Sequence, residues 1–381
     1  MNYKRLGDYI KRISVKNTDG LAEILYGINI DKFFMPSVAN VIGTDLTRYK
    51  VVSNNQFACN RMHVGRDKRL PIALSDRDYD FIVSPAYDVF EINDVNALLP
   101  EYLMMWFTRE EFDRNCWFHT DSDVRGKLDW NAFMDMTLPI PSIEKQQLIV
   151  DDYNTVTNRI QLNEKINANL EATAQALYKK LVAENQCEEY LLKDLCSFQE
   201  GYVNPSQKYP NYFDGNIKWL RANDVNGGFI LNTSRTLTEE GFESAGASAL
   251  LFAPHTIVIT KSGTIGRLGI LNDYMCGNRA VINIKPKEDN NLPFIFFSLK
   301  SSYNELIDLA TGSAQRNLYV PILATMKIQV PDEDELTSFY LVSKSILNSI
   351  QLQTKENQTL KELQSLLLAK MTQVELKTLS S

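Results

Sequence analysis

The residues able to do chemistry form only incomplete patterns in this chain. Lys261–Arg267 (KSGTIGR) has the look of a phosphate loop, but the GxxxxGK[ST] spacing is missing and no helix pattern follows. A tight hairpin turn that offers its polar side chains to a ligand is the better reading. Neither GxGxxG nor GxSxG occurs. Asn204-Pro205-Ser206 lacks the aromatic that an aminomethyltransferase motif needs, and the acidic run Asp332–Glu335 has no lysine at nuclease spacing. Negative charge there suits the start of a helix. The five cysteines (Cys59, Cys116, Cys187, Cys196, Cys276) make no CxxC pair, and none of the three histidines (His63, His119, His255) stands at metal-ligand spacing from another. Neither a catalytic constellation nor a metal site is expected.

One stretch does concentrate charge. Between Arg48 and Arg77 lie Arg48, Lys50, Arg61, Arg66, Lys68, Arg69 and Arg77, against Asp67 and Asp76 alone, with Asn54, Asn55, Gln56, Asn60 and His63 interleaved. Arg, Lys, Asn and Gln can neutralise phosphates and read base edges through paired hydrogen bonds. A solvated basic loop would give the same pattern. The chain as a whole carries a net charge of -7, so any nucleic-acid contact must come from a local basic face.

The elements that would position these residues are duplicated. Pro141 matches Pro331, Ile160-Gln161-Leu162 matches Ile350-Gln351-Leu352, Leu170 matches Leu360 and Leu177 matches Leu367, all at an offset of 190 residues. A self-match at one offset over some fifty residues marks a tandem repeat. Each half is a variable block followed by a long helical pattern. The first helix carries an apolar seam at Ile149, Tyr153, Val156, Ile160, Leu170, Ala174, Leu177 and Leu181, interrupted by Asn163 and Asn167. The second carries Phe339, Ser343, Ile346, Ile350, Leu360, Gln364, Leu367 and Met371, interrupted by Gln353 and Asn357. Alternating steps of three and four ask for a partner helix. An antiparallel pairing sets Asn163 against Asn357 and Asn167 against Gln353, polar pairs that fix register. About 33 residues at 1.5 Å each make a rod of about 50 Å. Two helices, each packed on its own domain, are the alternative.

The expected boundaries are 1–142, a first domain; 143–184, a first helix; 185–332, a second domain; 333–376, a second helix; and 377–381, a tail. In the first domain Tyr3–Ile10 reads as a short helix or opening segment, Tyr49–Phe57, Pro71–Leu74 and Asp80–Ile92 as strands, and Leu99–Cys116 as a helix. In the second, Thr256–Asn272 reads as a hairpin, Met275–Ile284 as a strand and Leu292–Leu309 as a helix. Strands and helices mix without βαβ regularity, so the fold class is α+β. At 381 residues, 44% hydrophobic and 23% charged, the chain reads as globular, with enough length in each half for its own core. No apolar run reaches about 18 residues and the N-terminus has no apolar signal core, which predicts a cytoplasmic protein with reduced thiols.

Several pieces together resemble the DNA-specificity subunit of type I restriction–modification enzymes. They are KSGTIGRLGIL (261–271), Gly277-Asn278-Arg279 in the following strand, TGSAQRNL (311–318), LPIPSIEKQQLIV (138–150), and the repeated block–helix layout. YKVVSNNQFACNRMHVGRD and VSPAYDVFEI extend the likeness into the first block, where Met62–Arg66 (MHVGR) stands in place of the SGTIG turn. The resemblance implies two target recognition domains entering the major groove, on antiparallel helices that space two half-sites of an asymmetric site. It also implies two methyltransferase subunits as partners, adenine-N6 enzymes using S-adenosylmethionine, with no cofactor on this chain, and a restriction–translocase subunit for cleavage. Under that reading the DNA contacts are Arg61, His63, Arg66, Lys68, Arg69, Arg125 and Lys127 in the first domain. In the second they are Lys261, Ser262, Thr264, Arg267, Asn278, Arg279, Gln315 and Arg316. The acidic balance predicts weak, salt-sensitive DNA binding by the chain alone. A non-catalytic scaffold of two interaction modules on a rod is the rival reading, and a self-sufficient nuclease or methyltransferase a more distant one.

Overall fold

A computed structural model describes residues 3–38, 43–120, 126–312 and 316–372, and of His63 the backbone alone. The chain folds into two units, Met1–Arg159 with Leu360–Ser381, and Ile160–Thr359.

In the first unit four short strands form an antiparallel sheet in the spatial order Ile10–Ile13, Asp88–Ile92, Phe57–Cys59, Ile72–Leu74. Strand side chains alternate between faces, and both faces are buried here. Phe57, Cys59, Phe90 and Ile92 point into one core, Ala58 and Val89 into another. The Phe57 and Phe90 rings stack at 5.0 Å, and Phe107 and Phe133 close over them edge-on or tilted. Where one helix was expected over Leu99–Cys116 there are two, Pro100–Thr108 and Glu110–Phe118. Arg109 between them is extended (φ -71°, ψ 141°), its guanidinium buried over the Trp106 ring. The opposite face is covered by the hairpin Tyr26–Ile28/Phe34–Pro36 and the pair Lys50–Val52/Phe81–Val83. The opening segment is a strand, a one-turn 3-10 helix at Leu6–Asp8 and a second strand; Tyr3–Arg5 pairs with Thr137–Pro139, so main-chain partners outside the segment limit the helix to one turn.

The second unit repeats that order. Cys196–Glu200, Val281–Pro286, Ile257–Thr260 and Leu268–Leu271 lie side by side antiparallel, and Phe229–Ile230 adds a parallel edge. Cys187–Leu191 pairs with Lys327–Pro331 as Tyr3–Arg5 does in the first unit. The covering helix is again broken in two, Leu292–Ser301 and Tyr303–Asp308. A second sheet, in the order Thr236–Leu237, Phe213–Leu220, Met275–Gly277, Leu251–Phe252, belongs to this unit. It divides the expected strand 275–284. Asn278 closes a turn by accepting the Ala280 N–H (3.0 Å), and the chain then crosses from one sheet to the other.

The long helices span Ile143–Glu184 and Glu333–Lys370. Asp332 accepts the Glu335 N–H (3.0 Å), so the acidic run caps the second helix. Within the second unit they run antiparallel: the buried Asn163 donates to Asn357 (2.8 Å) while Tyr178 lies against Phe339 (6.3 Å). Ala174, Leu181, Phe339 and Ile350 share one core. Within the first unit Gln364 donates to Thr157 (2.7 Å), and Ile149, Val150, Tyr153, Leu368 and Met371 share another. The second expected polar pair is not hydrogen-bonded. Asn167 Oδ1 and Gln353 Oε1 are buried without a hydrogen-bond partner, so no amide–amide bond joins them. Seam spacing predicts which residues face each other, and side-chain rotamers decide whether they bond.

Candidate nucleic-acid interface

In the second unit the hairpin 261–267 is the organising loop. Two of its backbone positions, Gly263 (φ +74°) and Gly266 (φ +85°), are left-handed, which only glycine adopts without strain. Its base is stitched on two sides: Lys261 N–H donates to the Ala280 carbonyl (2.8 Å), and Leu318 N–H donates to the Lys261 carbonyl (2.9 Å). Three segments distant in sequence therefore meet, 261–267, 278–280 and 316–318. The Lys261 ammonium turns inward to Glu200 (2.7 Å), whose carboxylate also accepts the Tyr202 hydroxyl (2.7 Å). Burial pushes the Glu200 carboxyl up, but the bonds from Lys261 and Tyr202 outweigh it and leave its pKa below the usual value. Lys261 thus holds the loop in place.

Around that anchor Thr264, Arg267 and Arg279 are exposed and Ser262 half-buried. Arg267 reaches Asn226 (3.4 Å), which brings the loop 221–228 alongside. A cavity of about 460 Å³ opens between them, lined by Gly227, Arg267, Phe296 and Tyr303. Asn278 is occupied by its turn. Arg316 is a correction of a different kind. Its guanidinium donates to the Ile307 (2.7 Å) and Ala310 (3.1 Å) carbonyls, capping the helix Tyr303–Asp308. Gln315 lies outside the described residues.

The first unit uses the same framework with other chemistry. Leu128 N–H donates to the Arg61 carbonyl (3.1 Å), as Leu318 does to Lys261, so Arg61 occupies the anchor position. Its side chain is 7% exposed, paired with Asp88 (2.5 Å) and laid over Trp130. Arg61 is therefore structural, which corrects its expected place at the interface: a cation with its carboxylate inside the fold presents nothing outward. The turn 61–67 packs so closely on the next loop that a Cβ on Gly65 would sit 2.6 Å from Gly126 Cα. Arg66, Lys68 and Lys127 are exposed. Arg66 pairs with Asp67 (2.7 Å), and Lys68 lies over Trp117 (4.7 Å). Arg69 bridges Asp31 (3.0 Å) and Asp113 (3.5 Å), which restrains it. Arg125 lies outside the described residues, as does the His63 side chain.

Both units so gather an anchored cation and exposed polar side chains from two or three loops at one place. The sequence model of one family, the type I restriction modification DNA specificity domain, matches residues 72–172 and 184–368. The chain belongs to that family. It is similar to the type I restriction enzyme HindI specificity subunit of Haemophilus influenzae, 21% identical over 90% of this chain and 91% of that one. It is also similar to the MjaVIII specificity subunit of Methanocaldococcus jannaschii, 24% identical over 62% of this chain and 61% of that one. Among solved structures, the S subunit of a type I restriction–modification system from M. genitalium matches with a TM-score of 0.59 at 12% identity, covering 97% of this chain and 95% of that one. That likeness is one of fold. As a type I specificity subunit the chain recognises DNA sequence and leaves catalysis to the other subunits of the system.

Sequence reasoning about this specificity subunit missed Glu200 and Tyr202, because the segment EGYVNPS carries no charge cluster. It also passed over Arg221 and Arg235, which stand 14 residues apart among neutral and polar residues. In the fold their guanidinium groups lie 5.5 and 6.0 Å from the same Trp219 ring. Burial pushes the Cys196 and Cys276 thiols up to about 12, far from thiolate chemistry. None of the described helices is long and apolar enough to cross a membrane.

Proposed function

We propose that this specificity subunit reads a two-part asymmetric DNA site, one half with each unit, and so directs adenine methylation by partner methyltransferase subunits. Cleavage follows when a restriction–translocase subunit joins. The observation that supports this reading is the repeated strand order carrying two different loop sets. A duplicated scaffold with identical loops would read a symmetric site; the loops 61–67 (RMHVGRD) and 261–267 (KSGTIGR) differ in sequence and in backbone, helical turns in the first and two left-handed glycines in the second. Two methyltransferase copies fit the internal repeat, because each can meet an equivalent surface. S-adenosylmethionine belongs on those partners, and the cytoplasm is where such a complex meets its DNA. The exposed cations Arg66, Lys68, Lys127, Arg267 and Arg279, with Thr264, are the side chains we assign to DNA, some to phosphates and some to base edges.

The test is sequencing of modified adenines in cells that carry the methyltransferase, with and without this chain. The expected outcome is an asymmetric two-part motif that disappears with the chain. Exchanging residues 1–142 for those of another specificity subunit changes one half of the motif and leaves the other. Unchanged methylation by an active methyltransferase in the absence of the chain rejects the reading and favours a scaffold that binds other ligands.

A further inference from the structure

The second unit holds one arginine that combines an aromatic platform with a neutral hydrogen-bond partner. Arg235 follows the polar loop 221–234, and its guanidinium lies over the Phe213 ring (4.1 Å) with Trp219 beyond (6.0 Å). Its hydrogen-bond partner is the Gln207 side-chain carbonyl (2.9 Å), an uncharged group on an exposed residue. Among the described residues no carboxylate pairs with it. Lys261, by contrast, is paired with Glu200, and Arg66 with Asp67. A guanidinium fixed by stacking and by one neutral bond keeps its charge and its remaining N–H groups, in a plane set before any ligand arrives.

The neighbouring loop is built to hold that plane. Asp224 accepts the N–H groups of Arg221 (2.9 Å) and Ser234 (2.8 Å), and Arg221 donates to the Ser234 hydroxyl (2.6 Å). Trp219 N–H donates to the Arg235 carbonyl (3.3 Å), and its indole N–H to the Val203 carbonyl (2.8 Å). The same strand delivers the chain to the hairpin cluster: Asn278 N–H donates to the Leu220 carbonyl (2.9 Å). Arg235 is therefore tied through the main chain of Trp219 and Leu220 to the segment 278–280, which meets the loop 261–267. Rigid presentation by supporting side chains is what a recognition contact requires.

We infer that Arg235 reads a guanine in the half-site recognised by the second unit, with Gln207 as the positioning residue that sets its guanidinium plane. Paired N–H donation to guanine O6 and N7 is the chemistry that a planar, charge-retaining guanidinium fits, and a lysine ammonium, without that rigid fork, matches it less well. This rests on the proposed DNA-reading role and adds to it one base and one side chain.

The experiment is the same sequencing of modified adenines, with the wild-type chain, Arg235→Lys, Arg235→Ala and Gln207→Ala, each checked for assembly with the methyltransferase and for melting temperature. The wild-type motif should contain a guanine whose identity becomes relaxed in both Arg235 variants, preference at that position falling about tenfold or more while the other half stays unchanged. Gln207→Ala should relax the same position to a smaller extent. Three results overturn the inference: an unchanged motif, a wild-type motif with Arg235→Lys (a phosphate contact), or a uniform loss at all sites by an assembled Arg235→Ala complex. If Arg235→Ala fails to assemble, Gln207→Ala decides, since its exposed side chain is outside the core, and an unchanged motif then rejects the inference. Absence of any motif that depends on the wild-type chain rejects the proposed function itself.

Discussion

The two units share a four-strand order, a broken covering helix and a backbone bond that ties one loop to the next, yet they anchor that loop differently. In the first, Arg61 and Asp88 pair inside the fold at 7% and 4% side-chain exposure. In the second, Lys261 and Glu200 pair nearer the rim at 12% and 17%. The carboxylate comes from different strands, Asp88–Ile92 in one case and Cys196–Glu200 in the other. A further difference lies at the first long helix. Gln146 is fully buried there, accepting the Leu99 N–H (2.9 Å) and donating to the Ala97 and Pro141 carbonyls (2.9 Å each). Leu336, at the matching position of the repeat, packs in the apolar core instead. The lesson is that the repeat preserves backbone connections, while the side chains that satisfy each buried group have been replaced independently. Loops tied down in this way can change their outward residues without loss of the scaffold.

The anchors offer the largest test of that contrast. Arg61→Ala leaves the buried Asp88 with Arg12 as its remaining ion-pair partner and should cost about 3 kcal/mol, the low end for a broken buried pair. Lys261→Ala removes a partner that is nearer water and should cost about 1–3 kcal/mol. Denaturant unfolding, with amide exchange reporting each unit separately, measures both; equal losses would mean that the two anchors are equivalent after all. The helix seam comes next. Asn163→Leu strands the buried Asn357 amide and should lower stability by about 1–3 kcal/mol, whereas the double change Asn167→Leu with Gln353→Leu removes two unpartnered acceptors and should raise the melting temperature. A fall in the double variant would show that those amides are satisfied in solution. The smallest effect is in acid. Because the Glu200 carboxyl titrates below its usual value, its stabilisation is complete above the unfolded carboxylate pKa and is lost as pH falls through the lower folded value. Amide exchange in 261–267 should quicken over that window and lose the dependence in Glu200→Gln.

Much of the architecture was legible in the linear pattern. The offset of 190 residues announced the repeat, and the three-and-four spacing identified Asn163 and Asn357 as partners before any coordinates. The helix over 99–116 and the strand over 275–284 were each read as one element where the fold has two, because local propensity continues across Arg109 and Asn278 while tertiary partners turn the chain there. The candidate site was less legible. Arg61 and Lys261 looked like outward cations, and each pairs with a carboxylate inside the fold; Arg316 is exposed, but its guanidinium is bonded to helix carbonyls.

What the sequence determined by itself is whatever depends on near neighbours and on repetition: the helical seam, the glycine turn 261–267, the duplication, and through their combination the family. What only the tertiary structure decided is which cations face the solvent. Arg61 meets a carboxylate 27 residues away and Lys261 one that is 61 residues away, and Arg235 gains its ring and its amide from Phe213 and Gln207. A charge is free or engaged according to what folding brings within about 3–4 Å of it, and that distance is set by the packing of strands, not by position along the chain.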